Sequence, residues 1–142
     1  MFQDQLNSDQ TCPCGSGKVF RECCEPALQG TQPALTAEAL MRSRYCAFAL
    51  GAIDYLIDTQ AKEKRQPGEA ELLAEQIQVT TWTGLKILST RKGLADDTDG
   101  VVEFEARFES GPQKAILHEV SRFRKDDGRW VYVDGEVELR PC

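Results

Sequence analysis

The sequence predicts an α+β fold in which a cone of about three helices lies on a curved, four-stranded antiparallel sheet, preceded by a small cysteine-rich knuckle. Three observations lead to this prediction. Four of the six cysteines fall between residues 12 and 24. Apolar residues recur at helical spacing between residues 37 and 78, and they alternate with polar residues from residue 79 onward. Helices followed by a run of meandering strands are typical of α+β domains.

The cysteine-rich segment has the sequence CPCGSGKVFRECC. Its cysteines form two close pairs, Cys12 with Cys14 and Cys23 with Cys24, separated by eight residues. Zinc prefers four tetrahedral ligands and binds thiolate sulfur readily. The two pairs can reach one ion, so the segment predicts a Zn²⁺ site with all four cysteines as ligands. Four protein ligands leave no open position for water, which favours a structural site over a catalytic one.

The spacing of these cysteines is shorter than in most structural zinc sites, and the backbone must therefore turn tightly. Gly15 and Gly17 can supply that turn because glycine accepts positive φ at little cost. A disulfide pair, unligated thiols and an iron–sulfur cluster are the alternatives. Residues 1–10 lack the basic and apolar regions of a secretory signal, and no apolar run is long enough to span a membrane. These features predict a cytoplasmic protein with reduced thiols, which disfavours the disulfide.

The helical part begins after a predicted linker at residues 25–33, which contains Pro26, Gly30 and Pro33. Thr36 is a suitable N-cap, and Gly51 a suitable end, for a helix over residues 37–50. A short helix is predicted over residues 53–57 and a third over residues 69–78.

Strands are predicted over residues 82–91, 102–108, 114–125 and 130–133. The second is the clearest, because Val102, Phe104, Ala106 and Phe108 alternate with charged residues. Asp127 and Gly128 predict a tight hairpin between the last two strands. We therefore expect two units, a metal-binding motif with its flanking linker at residues 1–30 and an α+β domain at residues 31–142. Helices packed across a curved sheet can leave a pocket open at one end.

Residues for this pocket come from the third strand and the first long helix. Strand periodicity turns Glu119 and Ser121 inward with Leu117 and Phe123, and it turns His118 outward. A carboxylate in such a pocket can act as an acid or base, so Glu119 is the candidate catalytic residue. The alternative is an internal ion pair between Glu119 and an arginine of the helix.

The helix contributes the other candidates for ligand binding, Arg42, Arg44 and Tyr45, which place two bases and an aromatic ring close together. Together with Ser121 they can line the pocket mouth or bind an anion. The alternative is that the arginines pair with surface carboxylates while Tyr45 packs in the core. Cys46, in the same helix, is expected to be a buried and inert thiol.

The cysteine segment resembles the SEC-C motif, which it matches from Cys12 to Cys24 without gaps. The longer chain resembles the YchJ family, through residues 40–48, 82–85, 104–108, 119–123 and 130–135. These resemblances imply zinc bound by the four cysteines and a middle domain of the nuclear-transport-factor-2-like type. A similar motif in the SecA translocation ATPase contacts a chaperone and the ribosome, which implies a protein partner. Many family members have a second such motif at the C-terminus, and this sequence lacks it.

The sequence thus predicts a non-enzymatic adaptor that docks a protein partner, secretion- or ribosome-associated, through its knuckle. An enzyme or small-ligand binder that uses the pocket is the alternative, with Glu119 as acid or base. The formal net charge of −6 disfavours nucleic acid as a partner.

Overall fold

A computed structural model describes residues 7–141 and shows four α-helices and four β-strands in that order. The helices are α1 (Glu25–Gln29), α2 (Ala37–Leu50), α3 (Ile53–Asp58) and α4 (Glu69–Val79). The strands are β1 (Thr81–Lys92), β2 (Asp99–Ser110), β3 (Gln113–Asp126) and β4 (Arg129–Pro141). Single 3₁₀ turns lie at Phe20–Glu22 and Lys62–Lys64. The predicted α+β class, with helices before a four-stranded antiparallel sheet, is confirmed.

Helix α2 is the longest helix, and its ends are the predicted ones. The side chain of Thr36 accepts a hydrogen bond of 3.0 Å from the backbone N–H of Ala39, which caps the first turn. Gly51 ends the helix with a φ of 82°, a left-handed conformation in which glycine avoids the strain of a side chain. The helix is buried on more than one face, because Ser43, Arg44 and Cys46 are buried along with its apolar residues.

Two elements differ from the sequence prediction. Helix α1 occupies part of the predicted linker, because Pro26 sits in the first turn, where its missing N–H costs nothing, and Gly30 ends the helix at a φ of 79°. Strand β4 runs on to Pro141 instead of ending near residue 133. Its partner β3 is long enough to pair with it throughout, with Ala115 opposite Pro141.

The sheet is an antiparallel meander in the order β1-β2-β3-β4. The predicted hairpin joins β3 to β4, with φ angles of 54° at Asp127 and 81° at Gly128, as the tight two-residue turns of hairpins require. Register shifts in β1 and between Arg122 and Phe123 mark irregularities that bend these strands. None of the helices within residues 7–141 is both long enough and apolar enough to cross a membrane.

The helices and the sheet enclose one hydrophobic core that includes the cysteine segment. Phe20 and three of the four cysteines of this segment are buried in the same cluster as Leu40, Phe104 and Phe123. The predicted division at residue 30 therefore falls between segments that share a core. Residues 1–6 of the first predicted unit and residue 142 of the second lie outside the described residues.

Candidate metal centre and pocket

Four cysteine sulfurs lie close enough to surround a single metal ion. The Sγ atoms of Cys12, Cys14, Cys23 and Cys24 all lie within 4.8 Å of one another. Cys14 and Cys23 are separated by 3.6 Å, and Cys23 and Cys24 by 3.9 Å, measured between sulfurs. A tetrahedral ion with metal–sulfur bonds of about 2.3 Å requires sulfurs roughly 3.8 Å apart. The donor set and its spacing therefore fit a thiolate-bound metal ion.

The loop between the two cysteine pairs turns back on itself through glycine conformations that the sequence predicted. Gly15 and Gly17 have φ angles of 80° and 88°. The backbone N–H of Cys12 donates to the carbonyl of Lys18 over 2.8 Å, and the N–H of Cys23 donates to the carbonyl of Phe20 over 3.0 Å. These bonds fix the backbone, so the second pair of cysteines returns to the first.

Helix α2 contributes two side chains to the sulfur cluster from one of its faces. The guanidinium of Arg42 donates to the carbonyl of Cys14 over 2.9 Å and lies 3.7 Å from its sulfur. One turn later, the sulfur of Cys46 lies 3.5 Å from that of Cys12. The same Arg42 guanidinium pairs with Glu38 at 2.9 Å. The structure thus places Arg42 at the cysteines, and not among the residues that line the pocket.

Charge within the cluster is distributed unevenly. Hydrogen bonds from the thiols of Cys12 and Cys24 hold the pKa of Cys14 far below its ordinary value. Burial opposes the charge of Arg42, but its bonds to Glu38 and Cys14 outweigh that cost and raise its pKa. A positive charge therefore lies beside the Cys14 sulfur.

A cavity of about 390 Å³ lies between the sheet and the helices, on the other side of α2. Its wall is mainly apolar and aromatic, formed by Met41, Tyr45, Phe48, Ile77, Trp82, Phe104, Ala106, Phe108, Leu117 and Leu139. Its main polar groups are Arg44, Glu119, Ser121 and Tyr132, with Gln76 and Thr80 nearby. Ligand pockets typically combine such an apolar wall with a few convergent polar groups.

Glu119 is the one carboxylate in the lining of this cavity, and it is 8% exposed. Its Oε2 accepts hydrogen bonds of 2.8 Å from the hydroxyl of Ser121 and 2.7 Å from the hydroxyl of Tyr132. Burial, together with the charge and hydrogen bond of Glu119, raises the pKa of Tyr132, which keeps this phenol protonated as a donor. Both protein hydroxyls use the same oxygen, so the carboxylate keeps acceptor capacity for a ligand.

Gly135 leaves the space in which this carboxylate lies. A Cβ atom at position 135 would come within 2.2 Å of the Glu119 Oε2. The backbone of Gly135 pairs with Ser121 across the β3–β4 ladder. A side chain here would displace either the carboxylate or the strand.

Arg44 is buried beneath the cavity with partners other than a carboxylate. It donates to the carbonyl of Leu56 over 2.8 Å and to the hydroxyl of Thr59 over 2.7 Å. Its guanidinium lies 4.8 Å from the centroid of the Tyr132 ring, a cation–π contact. Burial lowers its pKa to about 10, so it stays charged at neutral pH. Within the described part of the chain, neither Arg42 nor Arg44 is ion-paired with Glu119.

The structure therefore brings four of the predicted pocket residues together, Arg44, Tyr45, Glu119 and Ser121. Tyr45 is both a lining residue and a core residue, edge-on to Trp82 at 6.1 Å between ring centroids. His118 faces away from the cavity and bonds Glu103 at 2.7 Å.

Two residues that contact or shape the surroundings of Glu119 were not among the predicted site residues, Tyr132 and Gly135. Side chains alternate between the two faces of β4, so Tyr132 lies on the same face as the buried Trp130. This periodicity could have predicted that Tyr132 faces the pocket. Nothing local in the sequence indicates that Gly135 faces Glu119, because that contact depends on the register between β3 and β4.

Both parts of the chain, the cysteine segment and the α+β domain, match known protein families. The family model described as the YchJ middle NTF2-like domain matches residues 36–135, and the SEC-C motif matches residues 10–26. A UPF0225 protein from Geobacter sulfurreducens is 44% identical over 124 residues, covering 87% of this chain and 77% of its own length.

Two solved structures resemble the fold. The solution structure of a SEC-C motif-containing protein from Rhodopseudomonas palustris has a TM-score of 0.80 at 39% identity, covering 88% of this chain and 96% of its own. A LEH-like epoxide hydrolase from M. tuberculosis has a TM-score of 0.51 at 18% identity, covering 72% and 84%. At that identity, the second likeness shows the fold alone.

Proposed function

Because the chain belongs to the YchJ (UPF0225) family and carries a SEC-C motif, we propose that it is a zinc protein with a structural ion and a ligand-binding pocket. The zinc fixes the cysteine segment against α2, and the pocket takes a small, mainly apolar molecule. The observation that carries this proposal is the single buried carboxylate of Glu119 within an apolar cavity of about 390 Å³.

Zinc is the metal that this donor set favours. Four thiolates at tetrahedral spacing suit zinc or an iron–sulfur cluster. Cluster-binding cysteines are usually separated by two or more residues, whereas Cys23 and Cys24 are adjacent. When bound, the ion supplies cross-linking between the two cysteine pairs, and Arg42 offsets part of the negative charge of the thiolates. A site of reduced thiols suits a reducing compartment, so we place the protein in the cytoplasm.

The ligand class follows from the pocket lining. An apolar body fits the wall formed by residues such as Phe104 and Leu117. Glu119 then requires a hydrogen-bond donor on the ligand, because the protein hydroxyls bond only its Oε2. A compact aromatic or alicyclic molecule with one O–H or N–H group meets both conditions. The same carboxylate can serve as a general acid or base, and turnover of the bound molecule would mark the protein as an enzyme.

Binding of 2-naphthol, compared with naphthalene, tests the pocket. We expect the naphthol to bind more tightly, and Glu119→Ala to weaken naphthol binding about tenfold or more while leaving naphthalene little changed. Trp82 in the cavity wall provides a fluorescence signal for the titration. Glu103→Ala, on the outer face of the sheet, is the matched control. Equal binding of naphthol by the wild type and the Glu119→Ala variant would refute the assigned role of the carboxylate.

Docking of a protein partner through the knuckle is the second candidate function. It is favoured by the arrangement of the loop, since three of the four sulfurs are buried while Gly15, Gly17, Lys18 and Arg21 are exposed. This surface carries charges of both signs, because Arg21 is paired with Asp9 and Glu22 is also exposed, which leaves Lys18 as its other exposed base. It would suit a partner with complementary charged groups, of the secretion- or ribosome-associated kind that the motif suggests.

Affinity capture from cell lysate tests this second candidate when charge-reversed variants are compared. We expect Lys18→Glu with Arg21→Glu to lose a partner that the wild type retains, and Arg129→Glu, in an exposed position on β4, to retain it. Identical captured proteins with all three baits would count against docking through the knuckle.

A further inference from the structure

Arg44 is a buried cation that forms no ion pair within the described part of the chain. It is 8% exposed, and its contacts are with neutral groups, namely the carbonyl of Leu56, the hydroxyl of Thr59 and the face of the Tyr132 ring. Buried arginines are nearly always paired with an anion, because an unpaired charge is costly to remove from water. An anion from outside the chain is therefore the expected partner of this guanidinium.

Arg44 also retains hydrogen-bond donors that face the cavity. Its bonds to Leu56 and Thr59 both come from Nη1 and use both N–H groups of that nitrogen. The other N–H groups of the guanidinium are on Nε and Nη2. No buried side-chain nitrogen or oxygen of the described residues lacks a hydrogen-bond partner, so these N–H groups open onto the cavity that Arg44 lines.

Tyr132 keeps the two charged groups of the cavity apart. Its hydroxyl donates to Glu119 over 2.7 Å, and the face of its ring lies against the Arg44 guanidinium, 4.8 Å from the ring centroid. Arg44 and Glu119 are not ion-paired with each other, although both line the cavity. A cation and an anion thus line the same apolar space, and each keeps hydrogen-bonding capacity for a ligand.

A small molecule can reach these groups from solvent. Leu139, near the end of β4, lines the cavity and is exposed, so the cavity opens to solvent there. The volume of about 390 Å³ accommodates a molecule built on one or two rings.

We propose that the pocket binds a small aromatic or alicyclic carboxylic acid that carries an O–H or N–H group, with the carboxylate on Arg44 and the donor on Glu119. This inference rests on the proposed ligand-binding function and adds an acidic group to the ligand. Guanidinium and carboxylate match in geometry, and charge-assisted hydrogen bonds are roughly twice as strong as neutral ones. The guanidinium is already out of water in the folded protein, so only the acid loses its hydration on binding.

Isothermal titration calorimetry with 3-hydroxybenzoate and 3-hydroxybenzamide tests the inference. The two molecules share a ring, a hydroxyl group and nearly the same shape, and only the benzoate is charged at neutral pH. We expect the benzoate to bind the wild-type protein at least about tenfold more tightly than the amide. This comparison uses no variant, so it does not depend on whether a changed protein folds.

Two variants show whether Arg44 causes the preference. Arg44→Gln should bind the benzoate and the amide about equally. Arg91→Gln, which changes an exposed arginine on β1 that does not line the cavity, should keep the preference for the benzoate. Circular dichroism shows whether each variant is folded.

The outcomes separate this inference from the proposed function. Equal binding of the benzoate and the amide by the wild type would overturn the carboxylate class while leaving the pocket in place. A preference that folded Arg44→Gln retains in full would overturn the assignment to Arg44. Absence of binding by both molecules and by 2-naphthol would instead refute the ligand-binding function itself.

Discussion

Removal of the proposed zinc ion is expected to lower the free energy of unfolding by at least about 3 kcal/mol, because a structural ion contributes its binding energy directly to folding. Cys12, Cys14 and Cys24 are buried in the same hydrophobic core as Leu40 and Phe104. Loss of the ion leaves a polar sulfur cluster there without its cross-link. For a chain of this size, the midpoint of thermal unfolding should fall by roughly 10 °C.

Thermal unfolding followed by circular dichroism, with and without EDTA, measures this effect. Cys24→Ser should unfold near the temperature of the EDTA-treated wild type, and EDTA should have little further effect on it. An unchanged midpoint in the wild type after confirmed loss of metal would show that the ion does not stabilise the fold. A control titration with excess Zn²⁺ should restore the original midpoint.

Gly135→Ala is expected to destabilise the protein by about 1–3 kcal/mol and to abolish binding in the pocket. The added methyl group would come within 2.2 Å of the Glu119 Oε2. That carboxylate is held in place by Ser121 and Tyr132, so it cannot move without loss of their hydrogen bonds. Urea denaturation of the two proteins measures the destabilisation.

Two further variants isolate the cause. Gly84→Ala is the matched control, because Gly84 is also in a strand and a Cβ there meets nothing within 4 Å. In a Glu119→Ala background, Gly135→Ala should lower the free energy of unfolding much less, because the carboxylate that the new methyl group would contact is absent. Equal costs of Gly135→Ala in both backgrounds would mean that the contact with Glu119 is not the source of the destabilisation.

Local sequence signals were sufficient to predict most of the helices and strands and four of the residues that line the pocket. Thr36 and Gly51 fixed both ends of α2, because a side-chain cap and a left-handed glycine act within one turn. The alternating pattern of β3 was sufficient to predict that Glu119 and Ser121 face the pocket. The length of β4 was underestimated, because its last residues are exposed and gain their order from pairing with β3.

Contacts between distant segments were not predictable in the same way. Arg42 and Arg44 are two residues apart, yet one touches the cysteine cluster and the other lies beneath the pocket. The helical period shows that the two side chains project from different faces of α2. The contacts of each face depend on how the cysteine segment and the sheet pack against the helix, which the local sequence does not show. The contact of Cys46 with Cys12 spans 34 residues and has the same origin.

These contacts make α2 the element that joins the two sites. Arg42 and Cys46 face the sulfurs, and Met41, Arg44 and Tyr45 line the cavity. The bound ion would therefore hold the helix from which the pocket is partly built. A structural zinc site beside a functional pocket depends first on the identity of the metal and of its ligands.

X-ray absorption spectroscopy of the wild-type protein, combined with elemental analysis, identifies both the metal and its ligands. We predict one zinc ion per chain with four sulfur ligands at about 2.3 Å. Substoichiometric zinc, iron in its place, or nitrogen and oxygen ligands around the ion would contradict the assignment of Cys12, Cys14, Cys23 and Cys24 as a closed structural zinc site.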